Sequence, residues 1–186
     1  MSGVKRPKPG SATPSVAEAR AAAQEESRAR RDAQTAMIEE HFAGGVPGSW
    51  MMNLARLCTV AFAVATAVAV VINARSTRVV SASVDLVLFG AGCVMFLVAL
   101  YQGAQRSRDS EITMAGWWFL VGSAPRSVRT TLVGATVAQT VIGIVGASVR
   151  PFTALAFGVL VPTFGLALTG WWGALHGWFR PRRATS

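Results

Sequence analysis

A chain of 186 residues has the length of one ordinary soluble domain, but 52% hydrophobic and only 15% charged side chains, with a mean hydropathy of +0.41, point toward a lipid-embedded chain. The net charge of +9 is carried largely by arginines that abut apolar runs, so they read as membrane anchors and no nucleic acid is expected as a partner. Cys58 and Cys93 each sit inside an apolar run with no histidine beside them and read as small packing residues, which argues against a metal site or a disulfide framework.

The fold class expected is all-α, a polytopic membrane protein with four transmembrane helices. Residues 1–15 combine Lys5, Arg6, Lys8, Pro7, Pro9, Gly10 and Pro14, a disordered basic arm unable to bury enough apolar surface to order itself. Ser15-Val-Ala-Glu18 matches a capping box, and the Ala, Glu, Arg and Gln that follow predict a charged cytoplasmic helix over 16–45, stopped by Gly44-Gly45. Its apolar face is mostly alanine until Met37, Ile38 and Phe42, so it reads as a solvated helix, with partner binding as the other reading. No short basic segment with a cleavage site precedes the first apolar run, so that run is expected to act as its own insertion signal.

After a linker at 46–53, four runs meet the length of about twenty apolar residues that a bilayer crossing needs. They cover 54–74, 84–101, 130–149 and 151–175, and are too long and continuous for barrel strands. Between the second and third, residues 111–122 are apolar but too short to span, and predict a short interfacial helix, with a re-entrant loop as the alternative. A basic tail, 179–186, closes the chain.

Arginine placement orients the spans. With the N-terminus inside, Arg56, Arg106, Arg108, Arg126, Arg129, Arg180, Arg182 and Arg183 flank the inner ends, against Arg75, Arg78 and Arg150 in the outer loops. All six tryptophans fall on the same inner side. Both termini are therefore expected in the cytoplasm. The same arginines also suggest a rim for anionic lipid of the inner leaflet or for a partner, Arg106, Arg108, Arg126, Arg129, Arg180, Arg182 and Arg183, although ordinary orientation signals explain them as well.

Inside the spans, ionisable groups are costly and mark sites when present. Asp85 lies one residue into the second run, where it is expected to be hydrated or paired with Arg75, Arg78 or Arg150, the alternative being a proton-coupled or substrate-binding carboxylate. Gln139 lies mid-run and should seek a partner on another helix. It belongs to a stripe of small residues at four-residue spacing, Ala135, Gln139, Gly143 and Ala147, with similar faces through Ala154, Gly158, Pro162, Gly170 and Ala174, and through Ala61, Ala65, Ala69 and Asn73. Such faces let helices approach, within one chain or between chains. Pro162 is expected to kink the fourth helix. No catalytic, phosphate-loop, metal or cofactor constellation is visible in the spacing.

The stretch Gly122-Ser-Ala-Pro-Arg-Ser-Val-Arg129, with Ala147-Ser-Val-Arg-Pro-Phe-Thr-Ala-Leu-Ala-Phe-Gly-Val-Leu-Val-Pro-Thr-Phe-Gly165, resembles small four-span membrane proteins of actinobacteria over roughly residues 50–178. The resemblance implies a plasma membrane location and supplies no activity. The expected function is a non-catalytic accessory protein that contacts another membrane protein, itself or anionic lipid. The alternative is a small homo-oligomeric transporter, channel or lipid-handling protein. In size the chain also resembles small multidrug exporters, yet those rely on a carboxylate in the first membrane helix, and 57–74 has none.

Overall fold

Long apolar stretches in a bilayer must satisfy every backbone group internally, and helix does this within a single segment. The computed structural model describes residues 15–72 and 74–182. In chain order these form α1 (Val16–His41), α2 (Ser49–Ile72), α3 (Arg75–Arg106), the short α4 (Met114–Trp118), α5 (Arg126–Val149), a 3-10 segment (Ala154–Leu160) and α6 (Pro162–His176). Among the described residues the one strand-like feature is an isolated antiparallel bridge, Ser110 to Pro181. Four segments are long and apolar enough to cross a membrane: α2, α3, α5 and the compound Ala154–His176. Residues 1–14 of the basic arm, Asn73 and Arg183 lie outside the described residues.

The hydropathy limits differ from the helix limits for a physical reason: hydropathy locates the lipid-compatible stretch, whereas a helix continues until something breaks it. No glycine or proline lies between Arg75 and Phe89, so α3 begins at Arg75, and the loop expected before residue 84 is helical. At 1.5 Å per residue its 32 residues span roughly 48 Å, well beyond an apolar core of about 30 Å. The connection from α2 shrinks to residues 73–74. Similarly, α2 absorbs part of the expected linker by starting at Ser49, and α5 starts at Arg126, directly after its N-cap Pro125.

Pro162 does not kink a continuous helix. It occupies the first turn of α6, where its missing N–H breaks no bond, and Ala154–Leu160, one residue before it, wind as a 3-10 segment. The fourth span is therefore a compound element with a change of pitch at Pro162.

Packing follows the glycines rather than bulk hydrophobicity, as expected where lipid tails compete for apolar surface. A Cβ at Gly143 of α5 would lie 2.5 Å from the Gly158 carbonyl oxygen, and one at Gly92 of α3 would lie 2.7 Å from the Phe164 backbone nitrogen. The small-residue faces of α5 and of the fourth span thus meet each other inside one chain. The face expected on α2 is displaced: Ala61 is exposed, and the buried seam runs Met51, Ala55, Phe62, Thr66 and Ala69. Phe62, a large residue between those alanines, fills the space beside Gly158. Outward positions such as Val64, Val87, Leu97, Val141 and Ile144 stay exposed and apolar, the surface a lipid-facing bundle presents.

The expected interfacial helix over 111–122 is helical only from Met114 to Trp118. Trp117 and Trp118 turn into the bundle, seated over Gly103 of α3 and Gly170 of α6, and Trp117 Nε1 donates to the Gly170 carbonyl at 2.9 Å. Trp118 stacks on Phe96 at 4.7 Å. The chain then reverses through Leu120 and Gly122, both at positive φ, and Ser123 donates its hydroxyl to the Gly116 carbonyl.

The helix expected over 16–45 forms as α1, and it is exposed over only part of its length. Its capping box forms, with the Ser15 N–H on the Glu18 carboxylate at 2.7 Å, and this bond holds the Glu18 carboxyl below its ordinary range. Residues 15–33 are exposed throughout, but Ile38 and Phe42 are buried in the cluster that holds Met51, Leu120 and Trp172. Their spacing of four puts them on one face, together with Gln34, whose amide donates to the Gly122 carbonyl at 2.9 Å.

The Gly143 contact yields a test. Gly143→Ala places a methyl against a backbone carbonyl that cannot rotate away, and should cost about 1–3 kcal/mol. Gly134→Ala on the same helix meets nothing within 4 Å and should be neutral or stabilising by up to about 1 kcal/mol. Thermal denaturation in detergent compares them; equal midpoints would show that α5 and the 3-10 segment do not touch.

Candidate functional site

Three groups of residues bear on function, and the first is the polar interior. Gln139 of α5 is fully buried, and its Nε2 donates to Thr59 Oγ1 of α2 at 2.9 Å, the cross-helix partner its position calls for. Thr59 in turn donates to the Ala55 carbonyl at 2.7 Å. Gly165 of α6 makes room for the amide, since a Cβ there would approach Gln139 Oε1 to 2.7 Å. Three helices therefore meet at one side chain, whose Oε1 has no hydrogen-bond partner.

Asp85 departs from expectation. It is 1% exposed, its Oδ1 has no hydrogen-bond partner, and among the described residues no ion pair reaches it. The reason lies in the start of α3: with Arg75 as the first helical residue, Asp85 stands ten residues, roughly 15 Å, along the axis. It shares a buried face with Ser81, Leu88 and Gly92, and Ser81 Oγ is likewise buried without a partner. Arg150, one of the expected partners, reaches instead to the Val70 carbonyl in the last turn of α2 at 3.4 Å.

At the end of the bundle that carries α1, the arginines separate into distinct roles. Arg106 is committed to structure: its guanidinium donates to the Ala174 carbonyl at 2.9 Å and the Gly177 carbonyl at 2.6 Å, and lies over the Phe179 ring. A cation there satisfies carbonyls left open at the end of α6 and complements its dipole. Residues 180–182 run back along 109–111, with the Glu111 N–H on the Arg180 carbonyl and the Arg182 N–H on the Asp109 carbonyl, each at 2.9 Å. Arg180 borders a cavity of about 330 Å³ with Gln34, Glu111, Ser123 and Trp178, while Arg108 and Arg182 are exposed.

The third group is a groove of about 760 Å³ between the second half of α1 and the first half of α5. Arg126 and Arg129 line it as part of the anticipated rim, and Arg31 joins them from α1. Arg126 lies 3.7 Å from Glu39, both well exposed, an ion pair worth little in water. Among the described residues Arg31 and Arg129 have no acidic partner. Deeper, the lining becomes Ile38, Val133, Gly134 and Val137. Arg31 was legible in principle, because Thr35 and Ile38 follow it by four and seven residues on one helical face, but charge density within α1 masks it.

The arrangement defines a class: among the described residues, an all-helical protein with four segments long and apolar enough to cross a membrane, the fourth a compound one. Comparison with protein-family models, with curated proteins and with solved structures gives no match.

The Gln139 bond is open to measurement. Gln139→Met keeps the volume and removes the donor, and should cost roughly 0.6–1.7 kcal/mol, the range of a hydrogen bond between membrane helices. The thermal midpoint in detergent reads the loss, and a stabilised variant would show that the unpartnered Oε1 outweighs the bond.

Proposed function

We propose that the chain is a non-catalytic accessory protein of the cell membrane, with both termini in the cytoplasm, that holds a charged helix out from a rigid four-span anchor to engage a partner. The orientation is supported by the excess of arginine and by all six tryptophans near the α1 end. The observation that carries the reading is the division of α1. Its last turns are clamped by Gln34, Ile38 and Phe42, and the preceding eighteen helical residues project roughly 27 Å with every side chain exposed. A projecting helix that is anchored at one end loses little entropy on binding, which favours recognition. The groove between α1 and α5 is lined chiefly by arginine and apolar side chains, which suit binding.

Deleting residues 1–27 removes most of the projecting arm and spares the clamp and Arg31. The variant should insert and melt like the full chain, but lose the protein that co-purifies in stoichiometric amount with the full chain from native membranes. Retention of that protein at full stoichiometry would reject the arm as the binding element.

A second reading, a small homo-oligomeric transporter or channel, is favoured by one observation: the unpartnered Asp85 and Ser81 lie on the α3 face that packs along the compound fourth span. Broken helices beside buried polar groups build substrate and ion sites in transporters. The backbone contacts at Gly143 and Gly92 weigh against a path through the bundle. Asp85→Asn should leave ion flux into protein-containing liposomes at the protein-free background seen with the unmodified chain. Flux above background in the unmodified chain that Asp85→Asn abolishes would establish the transporter instead.

A further inference from the structure

The groove between α1 and α5 has two chemistries along one line. At its mouth stand Arg31, Arg126 and Arg129, with one carboxylate, Glu39, beside Arg126. Further along α5, Val133 and Val137 stand seven and eleven residues past Arg126, roughly 10 and 16 Å deeper, at a level where α5 is a membrane-crossing helix. Between them Gly134 opens the wall, with nothing within 4 Å of where a Cβ would stand. The occupant must therefore carry negative charge at one end and be apolar at the other, over roughly 6 Å that begin about 10 Å beyond Arg126.

An extended peptide segment fits the mouth but would leave backbone groups unsatisfied at the depth of Val137. A free phosphate or a nucleotide fits the arginines and leaves the apolar half unfilled. A phospholipid matches both, because arginine holds phosphate oxygens with paired N–H donors and an acyl chain fills the slot that Gly134 leaves.

We infer that this groove binds one anionic phospholipid, its phosphate held by Arg31 and Arg129 with Arg126 at the rim, and one acyl chain laid along Val133, Gly134 and Val137. Arg31 comes from α1 and Arg129 from α5, so the bound lipid ties the root of the projecting helix to the bundle. The inference rests on the inner-side orientation proposed above and not on the arm having a protein partner. Since the 1–27 deletion retains all three arginines, the two proposals fail separately.

The test uses the delipidated full chain in mild detergent, titrated with phosphatidylglycerol and, as the zwitterionic control, phosphatidylcholine, with retained lipid counted by native mass spectrometry. One phosphatidylglycerol should be retained at least about tenfold more tightly than phosphatidylcholine, the scale expected of two charge-assisted contacts. The double variant Arg31→Gln/Arg129→Gln changes exposed residues only and should abolish that preference. Gly134→Leu should weaken phosphatidylglycerol binding by a similar factor without lowering the thermal midpoint, because its side chain enters open space. Inorganic phosphate at millimolar concentration should not displace the lipid. Equal retention of the two lipids, unchanged phosphatidylglycerol binding in either variant, or displacement by phosphate alone would each overturn the inference.

Discussion

In a bilayer the hydrophobic effect no longer presses helix against helix, so the bundle depends on backbones brought into contact at glycine. Gly143 on Gly158, Gly92 on Phe164 and Gly165 beside Gln139 join α3, α5 and the fourth span, and Phe62 and Gln139 tie α2 to the same centre. Contact at this range gathers dispersion over many atoms and excludes lipid from the seams. The rest of the structure is arranged around that contact. The pitch change at Pro162 follows the 3-10 segment packed on Gly143, and the aromatic residues fill the spaces that the glycines open elsewhere.

The α1 end shows how a short apolar segment becomes structural. Residues 111–122 cannot span a membrane, and tryptophans in such a segment would ordinarily lie at the headgroup level. Here Gly103 and Gly170 form a recess that admits two indoles, Phe179 of the returning tail packs against the same cluster, and Arg106 holds the Ala174 and Gly177 carbonyls. One consequence is that an arginine expected at a lipid-facing rim is consumed in capping α6. Another is that Leu120, carried at positive φ by the reversal after α4, reaches the cluster that receives Ile38 and Phe42. The anchor of the projecting helix is thus built from the segment that looked least committed to the fold.

Function in this reading comes from asymmetry between the two ends of the bundle. One end carries a clamped helix, a mixed arginine and apolar groove and a stitched tail, and the other has none of these among the described residues. A rigid membrane anchor that fixes the root of a charged helix while leaving its first turns in water is a presentation device. A lipid held at the root would make that geometry sensitive to membrane composition.

By itself the sequence determined what depends on composition along the chain. The four spans follow from uncharged run length, α1 from its capping box and breakers, and the apolar lipid-facing surface from the want of polar residues within the runs. The partner of Gln139 was foreseeable as a kind, because an amide in an apolar helix needs one, but Thr59 was not foreseeable as the residue. Tertiary structure decided everything that depends on which face meets which: the seam of α2 through Phe62 instead of Ala61, the burial of Asp85 away from its expected arginines, the tryptophan pair turned inward, and Arg31 on the same groove as Arg129. The physical reason is that hydropathy and propensity are sums over neighbours in sequence. The rotation of each helix about its axis is set by steric fit between residues far apart in the chain, where a single hydrogen in place of a methyl decides whether two backbones can touch.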